Sequence, residues 1–226
     1  MFRTIRIIAV SGLLLTLMAG NAMAAGGSSA TTSPEPTPPR DPIAEADEHY
    51  NSGLLLRDRA WKLEKEAAAA SDEQRTKLET KIQKSFKRAI REFQSATRKN
   101  PEHFQAFSSL GYALRRTGQW KDAIAAYNQS LSLEPNYVEA IEYRAEAYLG
   151  LNRVEEAKEA YVKLFGMDRK RADELMEAMK AWIETRRREP GDVDSATVED
   201  FASWVSERAA LAGQTPTVSE LKQRKW

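Results

Sequence analysis

The 226-residue chain contains no cysteine. That absence excludes disulfides, thiol catalysis, Cys-type zinc sites and lipoprotein anchoring through an N-terminal Cys. Histidine is nearly missing as well. His49 and His103 each stand alone, with no second histidine four residues away and no HExxH pattern, so both read as surface or groove residues and not as metal ligands. There is no GxGxxG or GxxxxGK loop to cradle phosphate, and no nucleophile with a base or pair of carboxylates in a catalytic pattern. An excess of charge is also lacking: the formal net charge is +1. Such a balance gives no case for nucleic acid, whose binding rests on clustered Lys and Arg meeting phosphate. The expectation is a non-enzymatic chain with no cofactor or metal, an enzyme with an unrecognised site being a distant alternative.

No apolar run reaches the roughly 20 residues that a spanning helix needs. The longest, residues 7–18, follows Arg3 and Arg6 and precedes Ala22-Met23-Ala24, the pattern of a secretory signal peptide cut after Ala24. The expectation is export to the periplasm, with a membrane attachment only if residues 1–24 are retained. Residues 25–42 are rich in Gly, Ser, Thr and Pro and read as a disordered linker, where Pro36, Pro38 and Pro39 could present a polyproline II segment.

What the chain does have is a 34-residue period. Phe107, Leu110, Gly111 and Leu114 fall on one helical face, followed by Ala123, Tyr127 and Pro135. Gly118 ends the first helix and Pro135 stops the second. Gly111 is expected to lie against Ala123, so that two antiparallel helices approach closely. Adding 34 gives Ile141, Ala145, Tyr148, Ala157, Tyr161 and Leu164, with Arg144 and Arg169 as departures. Subtracting 34 gives Ala89, Phe93 and Pro101. This pattern resembles the tetratricopeptide repeat.

The first unit is stretched. Gly53 to Ala89 spans 36 residues where Gly111 to Ala123 spans 12, and Ser71 lies midway. Ser71 to Gln74 reads as a capping box, so the insertion lengthens both helices to about 27 residues, near 40 Å each, and carries them about 18 Å past the body. Gly53, Leu56, Ala60, Leu63, Ala67 and Ala70 face Leu78, Ile82, Phe86, Ala89, Phe93 and Ala96 in an antiparallel coiled-coil seam. Trp61, off that seam, is expected to pack over the loop of Gly118, Gln119 and Trp120, the alternative being an exposed contact for a partner at the base of the finger.

The domains expected are thus a first unit at 43–101, a second at 102–137, a third at 138–170, a degenerate fourth pair at 171–212 and a tail at 213–226. In the fourth pair Met179 replaces the small residue, Thr197 and Asp200 are spaced as a cap, and Arg186, Arg187 and Arg188 read as solvated charge at a helix end. The resemblance implies an all-α fold: a short right-handed α-solenoid of helix pairs, with the first pair extended as a finger and a helical cap at the C-terminus.

It also implies a concave groove, lined by the first helix of each unit, that takes a protein or peptide segment. The inward positions are Tyr50, Asn51, Leu54 and Arg57; Gln105, Ser108, Ser109, Tyr112, Arg115 and Arg116; and Glu139, Glu142, Tyr143 and Glu146. The expected groove is polarised, basic at Arg115 and Arg116 and acidic at the three glutamates, and so suited to a segment with a basic end. The Lys and Asn clamp with which the chaperone-binding branch holds a C-terminal carboxylate is replaced by Tyr50, Leu54, Ser109, Glu139 and Tyr143. Signal, linker and repeats together resemble exported bacterial tetratricopeptide-repeat proteins. The alternative working surface is the finger, acting as a structural adaptor in envelope assembly.

Overall fold

The computed structural model describes residues 41–214. The expected signal peptide, most of the linker and residues 215–226 of the tail lie outside the described residues. Within them the chain forms eight helices and no strand: α1 Pro42–Ala68, α2 Asp72–Lys99, α3 Phe104–Arg116, α4 Trp120–Leu133, α5 Val138–Gly150, α6 Val154–Met167, α7 Arg169–Arg188 and α8 Ser195–Gln214. Each helix packs on the next, and α1, α3, α5 and α7 also touch one another in sequence. The odd-numbered helices therefore make one continuous layer, as a solenoid of helix pairs requires.

Local chemistry sets the helix ends. Asp41 accepts a hydrogen bond from the Ile43 N–H at 3.0 Å, and Pro42 opens α1. Gly118 stops α3 with φ +77°, and 34 residues on Asn152 does the same after α5 with φ 60°. In both turns an N–H from just beyond the helix returns to a carbonyl of its last turn: Gln119 to Leu114 and Arg153 to Tyr148, each at 2.9 Å. The capping box expected at Ser71 does not form, since the serine side chain makes no capping bond. Arg75 instead donates to the Ala70 carbonyl at 3.2 Å and to Asp72 at 3.1 Å, bridging the turn that joins α1 to α2. At α8 the cap is Asp194, whose carboxylate accepts from the Thr197 N–H at 2.8 Å and hydroxyl at 2.6 Å, so Thr197 is capped and does not cap.

The repeat's close approach brings an aromatic ring onto the glycine. A Cβ on Gly111 would lie 2.7 Å from the Tyr127 ring, and Gly53 stands in the same relation to Phe93. Tyr127 and Phe93 are both fully buried. The glycine thus makes room for an aromatic ring one turn beyond the small residue, and the third unit places Ala145 and Tyr161 at the equivalent positions, both buried. Two apolar clusters follow: one runs from α1 to α5, the other from α5 to α8. Helix α5 serves both, with Ala140 and Ala147 in the first and Ile141, Ala145 and Leu149 in the second.

The long first pair buries the expected seam at Gly53, Ala60, Ala67, Ile82, Phe86, Ala89, Phe93 and Ala96. At the other end, Trp182 donates to the Leu149 carbonyl at 2.8 Å and sets its ring edge-on to Phe201 at 5.5 Å, which docks α7 on α5 and α8. Met179 is fully buried there as an apolar contact. The three arginines closing α7 are bonded and not merely solvated: Arg186 reaches Asn152 at 3.0 Å, Arg187 reaches Glu199 at 2.7 Å and Arg188 reaches the Glu184 carbonyl at 3.3 Å.

Candidate functional site: the concave face

Side chains four residues apart lie on one helical face, and three such pairs converge on the layer of first helices: Arg57 and Trp61 on α1, Ser108 and Tyr112 on α3, and Glu139 and Tyr143 on α5. With Tyr50, Ser109, Tyr137 and Arg171 they line a cavity of about 250 Å³. It gathers Tyr50, Arg57, Ser108, Ser109, Tyr112, Glu139 and Tyr143 from the groove read in the sequence. Asn51 and Gln105 lie outside it, Gln105 bonded to the His103 ring at 3.1 Å, and Leu54 packs against the core. Sequence reasoning set Trp61 at the base of the finger and not in the groove, and it missed Tyr137 and Arg171.

Aromatic rings cross the site as a ladder. Trp61 meets Tyr112 edge-on at 5.8 Å, and Tyr112 meets Tyr143 at 5.3 Å. The Tyr112 hydroxyl accepts from the Trp61 indole N–H at 2.7 Å and from Arg116 at 3.1 Å, which makes this nearly buried ring the floor. Trp61 therefore belongs to the groove and not to the loop after α3. Trp120, which opens α4 just past that loop, packs where Gly150 ends α5. Arg57 stacks over the Trp61 ring at 4.2 Å, and Trp61 remains 37% exposed.

The expected charge separation is cancelled within the chain. Arg115 is ion-paired with Glu146, and Arg116 with Glu64 of α1. Arg171, one turn into α7, donates to Glu142 at 2.7 Å, to Glu174 at 3.0 Å and to Glu139 at 3.3 Å. The glutamates of α5 thus already have their cation, because α7 continues the inner layer and places an arginine where a basic partner was expected. Glu142, 3% exposed, and Arg115 are packing elements and not free recognition groups.

Burial shapes the titration of this network. It pushes the Glu142 carboxyl up to about 7 in spite of Arg171, with Glu146 and Glu174 adding repulsion. Glu146 is raised for the same first reason, while Arg115 and Arg116 oppose it. The folded value of Glu142 lies above the ordinary 4.5, so folding takes up a proton here. Its contribution to stability is complete below the ordinary value and is lost as pH rises through about 7. We expect the protein to lose roughly 2 kcal/mol through this group between pH 5 and pH 8. Glu142→Gln, which keeps an acceptor for Arg171, should flatten that slope in denaturant midpoints taken across the range. Equal slopes for parent and variant would contradict it.

Both histidines have acidic neighbours, His49 with Glu92 at 2.8 Å and His103 with Asp47 at 3.7 Å. Among the described residues no group of three or more His, Asp or Glu could hold a metal ion, and no helix is long and apolar enough to cross a membrane.

Models of the tetratricopeptide repeat match residues 83–138 and 114–183. Repeat spacing, helix pairs and these matches agree: the chain is a tetratricopeptide-repeat protein. Among curated proteins it is similar to the human protein O-mannosyl-transferase TMTC3, 33% identical over 79 residues, which cover 34% of this chain and 9% of that protein. It is also similar to superkiller protein 3 of Schizosaccharomyces pombe, 42% identical over 53 residues, or 24% of this chain and 4% of that one. The matches thus span less than a tenth of either relative. Among solved structures, the TPR2B domain of yeast Sti1 in a pHsp70 complex is 14% identical, covers 73% of this chain and 98% of its own, and has a TM-score of 0.38. MamA is 15% identical over 75% of this chain and 97% of its own, with a TM-score of 0.40.

Proposed function

We propose that the protein is an exported, periplasmic scaffold that holds a protein or peptide segment on its concave face and carries out no catalysis. The observation that carries this is the cavity built by α1, α3, α5 and α7 together, floored by Tyr112 and flanked by Trp61, Tyr137 and Tyr143. Rings so placed supply contact area at low entropic cost, and such residues dominate binding energy at protein interfaces. Because the arginines and glutamates around them are paired, recognition is led by ring and backbone contacts instead of charge. Periplasmic residence rests on the signal-like residues 1–24.

Partners captured from a periplasmic extract supply the bound segment for the test, which titrates that segment against parent and variants. Trp61→Ala and Tyr143→Ala should each weaken binding about tenfold or more, with the thermal melt little changed and the affinity nearly constant from low to high salt. Variants that bind as the parent does would remove the concave face from the function and leave the α1–α2 finger as the surface to examine.

A further inference from the structure

One face of α2 carries charge that the rest of the fold leaves unanswered. Residues 80–91 include five cations, Lys81, Lys84, Lys87, Arg88 and Arg91, and no acid. All five side chains are exposed, and none has a hydrogen bond or ion pair to another described residue. From α5 through α7 the opposite holds, since every Lys and Arg there is held by a carboxylate, amide or carbonyl. The cationic face is turned outward because Ile82, Phe86, Ala89 and Phe93 bury the other side of the helix. Four of the cations border one shallow depression whose remaining walls are Thr76, Glu79, Thr80 and Gln83. No apolar or aromatic side chain enters it.

We propose that this face of α2 lies against an anionic phospholipid surface. A protein partner would need a buried aromatic or aliphatic anchor to hold it, and the face offers none. Single-stranded nucleic acid would be stacked on aromatic side chains, and these too are missing. A planar array of phosphates asks only for aligned charge. The stripe supplies it along a straight helix, over about 15 Å from residue 81 to residue 91. Each cation near such a surface raises partitioning by roughly fivefold, and the effect fades with salt. This reading concerns the outer face of α2 and is independent of what the concave face holds.

The test is co-sedimentation with vesicles of phosphatidylcholine alone and of phosphatidylcholine mixed with phosphatidylglycerol. It uses the chain without residues 1–24, whose apolar run would itself enter lipid and which precede the compact unit starting at Arg40. Binding to the mixed vesicles alone is expected, falling steeply as salt rises. Lys84→Glu with Arg88→Glu should reduce it roughly a hundredfold or more while leaving the thermal melt in place. Lys121→Glu, at an exposed and unpaired cation on α4, should leave binding unchanged. The proposal fails if the double variant binds as the parent does, or if both vesicle types are bound alike. It fails equally if short DNA or polyglutamate is preferred to the mixed vesicles.

Discussion

Arg171→Ala is expected to lower the stability of the folded protein by about 3 kcal/mol at pH 8, the lower end of the range for breaking a buried ion pair from one side. Arg171 donates to Glu142 at 2.7 Å and is the only cation bonded to that carboxylate among the described residues. With the guanidinium gone, Glu142 sits 3% exposed near Glu146 and Glu174, and water cannot replace the lost partner. At pH 5 the loss should be smaller, because the carboxyl, already raised to about 7, escapes by taking up a proton. A second consequence concerns geometry. Arg171 joins α5 to α7, so its removal should loosen the C-terminal pair before it loosens α1 to α4. Amide exchange would register this as faster opening in α7 and α8. A variant with parental stability at pH 8 would mean that Glu142 is solvated.

Gly111→Leu should cost about 3 kcal/mol, the upper end of the overpacking range, and lower the melting temperature by roughly 6 to 12 °C for a chain of this size. The first added carbon would already lie 2.7 Å from the Tyr127 ring. That ring is fully buried and cannot swing into solvent, so α3 and α4 must separate. Gly213→Leu is the control. Nothing lies within 4 Å of a Cβ at Gly213, and replacing a helical glycine there should leave the melt unchanged or slightly higher. Equal melting temperatures for the two variants would remove the close crossing from the account.

The 34-residue period made the helix pairs legible because it is a packing rule written into residue size. Gly111, Ala123 and Tyr127 must recur wherever two helices cross in the same way. Even so, the period could not say which atoms meet, and it is the Tyr127 ring that lies nearest to Gly111. The length of the stretched first pair was legible for a similar reason, with Gly53, Ala60, Ala67, Ile82, Phe86, Ala89, Phe93 and Ala96 buried between α1 and α2, while Leu56, Leu63, Ala70 and Leu78 are only half-buried. Turn chemistry was not. Asp194 caps α8 from outside the spacing that seemed to mark Thr197, and Arg75 serves the turn after α1 in place of Ser71.

The site was read well where it depends on helix faces and poorly where it depends on long side chains from elsewhere. Ser108, Tyr112, Glu139 and Tyr143 follow from register. Arg171 does not, because it comes from the helix whose repeat pattern is weakest, and an arginine reaches a neighbouring helix from several positions. Trp61 was misplaced for the same reason: its ring leaves the α1 seam sideways and meets Tyr112. Net charge hid a further feature. A total of +1 is compatible with paired charge from α5 to α7 and with five unpaired cations along α2.

The charges of the concave face are settled inside the chain, and a double-mutant cycle between Arg171 and Glu142 measures that directly. Arg171→Met, Glu142→Gln and the double variant would be unfolded in denaturant at pH 8. A coupling of about 2 kcal/mol is expected, with the double variant more stable than Arg171→Met alone, since removing the carboxylate relieves the charge that the arginine had held. Additive losses, with coupling near zero, would mean that the two side chains do not meet in the folded protein and that the acidic stripe of α5 is open for a partner.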